Sequence, residues 1–450
     1  MRVLLVSANT VIEPYPVYPL GLDYVTAALA QDHHDVVRLD MNDLTDDGGI
    51  TAVVNRFGPD VIGLSLRNID NTDALRPVSF IPRYRRIMAM LRAACDAPVV
   101  LGGSGFTLFP EALMRILAAD FGIVGEGERM RELLAALQNG QTPIGIPGII
   151  ERSGRGVAPV PLGATPLPAA GAGPTVADYY LKQGGMLNLQ TKRGCPFRCI
   201  YCSYPHIEGR TLRGQPPEQL AQAALARQQA GARYLFVTDS AFNADSRHSL
   251  EVARAFKAAG LTIPWGAFFA PVRMPDGYFH TLAECGLEHV EFGTEALDNA
   301  VLRSYGKPFT VADVFAAHMQ ARDAGLHVAH YFLFAGPGED AQTVRATLEN
   351  IEMLEKTVLF LFCGMRIYPH TALYRQALAE GQLSPRRPIL APVFYRPAGI
   401  SIAKAAELIE THARGRVHWV HAGGGQASGE ILQRMYRKGY SGPLWEFLAR

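Results

Sequence analysis

The stretch TKRGCPFRCIYCSYPHIEGR, residues 191–210, holds three of the chain's six cysteines: Cys195, Cys199 and Cys202. A C-x3-C-x2-C loop lets three thiolates reach three corners of one small cluster and leaves the fourth corner without a protein ligand. A 4Fe-4S cluster with one open iron binds a substrate or cofactor directly, whereas an electron carrier is closed by four cysteines. Zinc is a rival occupant. It wants a fourth Cys or His, and His206 stands four residues after Cys202. Unligated core cysteines are a third reading, disfavoured by the polar neighbours Arg193, Gly194 and Arg198.

Working outward, 450 residues allow two or three domains with their own cores. Forty-three Lys plus Arg against 42 Asp plus Glu leave a formal charge of +1, so no global field draws nucleic acid or anionic lipid. No window approaches the roughly 18 apolar residues that span a bilayer, and the first residues lack a cleavable signal pattern. The expectation is a soluble, cytoplasmic protein that inserts in no membrane and binds no nucleic acid. Six cysteines in so long a chain are no disulfide framework; clustered, they point to metal or redox chemistry.

Residues 1–140 alternate strand-like runs (RVLLVSA, HDVVRLD, DVIGLSL, APVVLGG, DFGIVGEGE) with helical stretches. That pattern predicts a doubly wound, Rossmann-like α/β domain with a parallel sheet, whose ligands sit beyond the carboxyl ends of the strands. Residues 141–180, rich in Gly and Pro, read as a linker with a short strand or two in GIIER and GVAPV. From 181 to 394 a second series of about six βα units predicts a partial, open (β/α)6 TIM-like barrel. Residues 395–450 read as a helical segment.

The cysteine loop resembles the signature of the radical S-adenosylmethionine (SAM) superfamily, with an aromatic residue, Tyr201, before the third cysteine. Further segments resemble the family's later landmarks in order: VTDSAFN at 237–243, EFGTEALDNAVLRSYGKPFT at 291–310, LFAGPGE at 333–339 and GMRIYPHTALY at 364–374. The resemblance implies that Cys195, Cys199 and Cys202 hold a 4Fe-4S cluster whose open iron is chelated by S-adenosyl-L-methionine. Glu295 is the candidate contact to the SAM ribose or ammonium, with a salt-bridged rim glutamate as the plain alternative. Gly336 and Gly338 are candidates for close backbone approach on the adenine side. Asp239 and Asn243 are weaker cofactor candidates, and Tyr201 is expected at the cluster mouth.

The first domain resembles the cobalamin-binding module of a radical SAM subgroup, on PYPVYPLGLDYVTAAL at 14–29, PDVIGLSLRNID at 59–70, LGGSGFTLFPEAL at 101–113 and GIVGEGE at 122–128. Gly102, Gly103 and Ser104 are candidates to meet the nucleotide tail of the corrinoid. The D-x-H-x-x-G loop of base-displacing cobalamin domains is absent: ANTVIEP stands in its place, so that loop supplies no histidine to the cobalt. Arg67 is a candidate group beneath the corrin, and a salt-bridged arginine is the plain reading. A domain that keeps the fold without the cofactor is the alternative.

The resemblance leaves the reaction open among three classes. One is cobalamin-dependent methyl transfer or related radical carbon chemistry on a small-molecule substrate. The second is 3-amino-3-carboxypropyl transfer to a thiophilic acceptor such as trivalent arsenic, without cobalamin, for which Cys363 at the end of a barrel strand is the candidate ligand or thiol radical partner. The third is a cobalamin or redox sensor without turnover. Methylthio transfer would need a second cluster, and the remaining cysteines are scattered singly. A reductant such as flavodoxin or ferredoxin is the expected electron donor. Cys95 and Cys285 read as small core residues, and His418 and His421 as solvated or packed.

Overall fold

The computed structural model describes residues 1–12, 15–44, 48–163, 174–386, 388–421 and 426–448. Much of the expected linker, 164–173, lies outside them, as do Glu13 and Pro14 of the loop after the first strand. The chain divides into two compact units: residues 1–71, 79–182 and 206–209 form one, and the remainder forms the other.

In the first unit, β1 (Arg2–Ser7), β2 (Asp35–Asp40), β3 (Val61–Ser65), β4 (Val99–Gly102) and β5 (Phe121–Ile123) are parallel. The sequence assigned to the linker adds β6 (Ile149–Glu151), antiparallel to β5 at the sheet edge. The order is β2-β1-β3-β4-β5-β6. Val3 to Ser7 and Val61 to Leu64 are buried without interruption because helices cover both faces, and this is why these strands read as continuous apolar runs. Val3, Leu5, Leu29, Val61 and Val100 are central to one core cluster, to which the helix Met130–Gln138 adds Leu133. The order reverses between β1 and β3, so the ends of these two strands flank a topological switch point.

In the second unit, β7 (Met186–Leu189) leads into a ribbon of β8 (Lys192–Arg193) and β9 (Arg213–Gly214). There follow β10 (Tyr234–Val237), β11 (Trp265–Phe269), β12 (Leu287–Glu295), β13 (His327–Phe334), β14 (Thr357–Cys363) and β15 (Trp419–His421). Seven of these form one parallel sheet in the order β15-β14-β13-β12-β11-β10-β7. The open barrel therefore gains a strand from the segment expected to be helical. Three residues are too few for alternation to be legible.

The βα turns are set by capping. Asp245, Asp298, Thr310, Asp340 and Ser401 each accept a backbone N–H in the first turn of the following helix, an interaction worth about 1 kcal/mol apiece. Register fixes which side chains face the helices. Trp265 and Phe242 meet edge to face, with Phe256 beyond, while the alternate residues of each strand point into the barrel. The 3-10 turn Trp445–Leu448 packs there, Trp445 lying against Ala329, Val358 and Phe360.

Candidate cluster and cofactor site

The cysteine loop is anchored at its root. Asp239, at the end of β10, accepts from the Thr191 N–H at 2.7 Å, from the Thr191 hydroxyl and from Lys192 Nζ at 2.6 Å. Lys192 also donates to the Phe242 carbonyl at 2.9 Å. All three side chains are buried, so the carboxylate expected near the cofactor is occupied in holding β7 to β10. Asn243 likewise brackets Ala270, accepting its N–H at 2.9 Å and donating to its carbonyl at 2.8 Å. Both residues are hydrogen-bonded within the barrel.

Within the loop Cys195 is buried, Cys199 and Cys202 are half-buried, and none of the three is in a disulfide. The Ile200 N–H donates to the Tyr305 carbonyl at 3.0 Å, and the Leu373 N–H to the Ile200 carbonyl at 2.8 Å, so two neighbouring segments fix the loop. Burial pushes the Cys202 thiol up to about 12, which disfavours its thiolate until a metal cation compensates the charge. Among the described residues no three His, Cys, Asp or Glu side chains converge closely enough to share one ion. Three soft thiols on one short loop fit three corners of an iron–sulfur cluster.

Beside the cysteines stands a buried triad. Tyr201 Oη donates to Glu295 Oε1 at 2.7 Å, and Lys307 Nζ lies 3.0 Å from the same oxygen and 2.9 Å from Tyr201 Oη. Glu295 adopts φ 69°, just past a bulge in the β12–β13 pairing. A non-glycine residue in this region is strained, and the ion pair holds it there. Sequence reasoning selected Tyr201 and Glu295 and passed over Lys307, although the Lys-Pro turn containing it was legible.

The Gly-Pro-Gly-Glu turn after β13 is built around Tyr305. A Cβ on Gly336 would lie 2.3 Å from Tyr305 Oη, so this position is glycine because of close packing inside the protein. Glu339 accepts from Tyr305 Oη at 2.6 Å and from the Gly336 N–H at 2.8 Å, and burial pushes its carboxyl up to about 7. Gly338 has φ 82° and faces Ser304.

Cys363 closes β14 as expected, but its thiol donates to the Ile402 carbonyl at 3.3 Å, and burial pushes it up to about 12. That is the setting of a protonated structural thiol. His418 is half-buried and accepts from Trp419 Nε1 at 3.0 Å; His421 is also half-buried, and its Nε2 has no hydrogen-bond partner among the described residues.

In the first unit, Gly103 has φ 96°, and a Cβ there would meet the Leu66 carbonyl at 2.7 Å. Next to it the space over Gly102 is open, with no atom within 4 Å of where a Cβ would sit. Ser104 Oγ donates to the Arg67 carbonyl at 2.8 Å, and the Arg67 side chain is exposed. A glycine end with open space above β4 fits the close approach of a large cofactor such as cobalamin.

Comparison with known proteins accords with this geometry. The model of the radical SAM superfamily matches residues 189–351, and that of the B12 binding domain matches 10–135. An uncharacterized methyltransferase of Pyrococcus horikoshii is 28% identical over 81% of this chain and 79% of its own length. The tryptophan 2-C-methyltransferase of Streptomyces laurentii is 26% identical over 84% of this chain and 74% of its own. Among solved structures, the radical SAM methyltransferase TsrM of Kitasatospora setae, with cobalamin and a 4Fe-4S cluster bound, superposes with a TM-score of 0.86 at 23% identity, covering 100% of this chain and 97% of that one. The fold, the cysteine loop and both family matches agree: the chain carries a radical SAM domain over residues 189–351 and a B12-binding-type domain over residues 10–135.

Proposed function

We propose that the protein is a cobalamin-dependent radical SAM methyltransferase acting on a small molecule. The observation that carries this reading is the presence, in one chain, of the cluster loop and a B12-type sheet, in the arrangement of relatives that are themselves methyltransferases. When bound, the cluster supplies an electron to SAM and the cobalamin carries a methyl group.

The chain's own residues hold and orient. Cys195, Cys199 and Cys202 would hold the cluster through three of its irons. Glu295, pinned by Lys307 and Tyr201, presents a carboxylate beside the cluster cysteines for SAM, and Lys307 pairs with that carboxylate at 3.0 Å. Gly102 leaves room for the cobalamin. A flavodoxin- or ferredoxin-type reductant would supply the electron.

The test is anaerobic turnover of cluster-reconstituted protein with reductant and SAM, with and without hydroxocobalamin, reading the SAM fragments by mass spectrometry. S-adenosylhomocysteine that requires cobalamin is expected. Methylthioadenosine formed without cobalamin would overturn the reading in favour of aminocarboxypropyl transfer.

A further inference from the structure

Register places Phe268, Glu291, Tyr331, Phe360 and Phe362 on the inner face of the barrel. Barrel interiors are ordinarily packed with branched aliphatic side chains. Here the inner wall is aromatic and partly open: Phe268, Tyr331 and Phe362 are half-buried although they face inward. Their planes are ordered. Tyr331 lies 4.7 Å from Phe360 at 17° and 6.1 Å from Phe362 at 15°, with Phe268 edge-on to it at 6.1 Å.

The orientation of this array is pinned from below. Tyr331 Oη donates to Glu291 Oε2 at 2.7 Å, and Trp445 Nε1 donates to Glu291 Oε1 at 2.9 Å. Glu291 is fully buried, and burial raises its carboxyl above the ordinary range. Both of its oxygens are committed to holding Tyr331 and Trp445. Among the described residues, no inward-facing position of β7 or β10–β14 is Lys or Arg, so these strands offer no cation to a phosphate or carboxylate. Glu295, on the same strand as Glu291, stands at the mouth beside the cluster cysteines.

We propose that this lumen is the acceptor chamber and that its parallel rings select a planar, uncharged aromatic small molecule. The assignment rests on the methyl-transfer reading only for what then happens to that molecule. Glu291 is a positioning residue that acts through the plane of Tyr331; Phe362 and Phe268 supply faces and edges for stacking.

The experiment is equilibrium dialysis of the full, cluster-reconstituted chain, without turnover, against 2-naphthol, its saturated counterpart decahydro-2-naphthol, and CMP. Stacking on ring faces predicts about a tenfold preference for 2-naphthol over the saturated alcohol. Phe362→Leu is expected to reduce that preference to about twofold by removing one such face. Equal affinity of the wild type for the two alcohols, tighter retention of CMP, or no retention of any of the three overturns the assignment. Retention of 2-naphthol in a protein that forms no S-adenosylhomocysteine would uphold the chamber while removing the methyl-transfer reading.

Discussion

Tyr201 Oη and Lys307 Nζ both contact one oxygen of Glu295, at 2.7 and 3.0 Å, so the residue before the third cluster cysteine is tied to a strained bulge of β12. The cluster loop and the carboxylate beside it are therefore joined by direct side-chain bonds. Lys307 has no substitute within the triad, because tyrosine and glutamate supply no positive charge.

Lys307→Met should leave Glu295 buried with a single donor. Breaking a buried pair from one side costs about 3–5 kcal/mol, so the melting temperature should fall clearly. SAM binding, measured by dialysis on protein with intact cluster absorbance, should weaken by at least tenfold, and Lys307→Arg should recover part of it. Unchanged SAM affinity in Lys307→Met would remove the triad from the cofactor site.

Cys363→Ala removes a thiol that donates to the Ile402 carbonyl. If the thiol is structural, turnover should stay within about threefold of wild type and stability should drop by about 1 kcal/mol, the worth of a weak buried hydrogen bond. Loss of product formation with the cluster and SAM cleavage intact would instead give Cys363 a chemical role.

Glu339 gives a pH signature. Its folded pKa, about 7, lies above the ordinary 4.5, so between these values the native state binds more protons than the unfolded chain. Its contribution to stability is therefore greatest below pH 4.5, declines as pH rises, and is lost above pH 7. The loss amounts to as much as about 3 kcal/mol. Urea unfolding at pH 5 and pH 8 should show Glu339→Gln gaining on the wild type at the higher pH. A parallel pH dependence in both proteins would assign the proton elsewhere.

Gly102 and Gly103 should separate ligand space from backbone need. Gly103→Ala forces a side chain onto the Leu66 carbonyl at φ 96° and should destabilise the first unit by about 1–3 kcal/mol. Gly102→Leu enters open space and should leave the melting temperature unchanged while lowering cobalamin retained after gel filtration. Full retention in Gly102→Leu would move the cofactor away from β4.

By itself, the sequence determined the features that local chemistry encodes. The buried parallel strands show as unbroken apolar runs and the cluster ligands as three cysteines on one loop, because each of these depends on neighbours within a few residues. Only the tertiary structure decided what Asp239, Asn243 and Cys363 touch. All three looked exposed to chemistry from their positions at strand ends, and all three are taken up by backbone partners from segments distant in sequence. Lys307 joins the site, and Trp445 the barrel floor, through separations of 12 residues to Glu295 and 154 to Glu291. Periodicity carries no information over such distances: it records which face of an element is buried, while burial partners are chosen by how the strands close around one another.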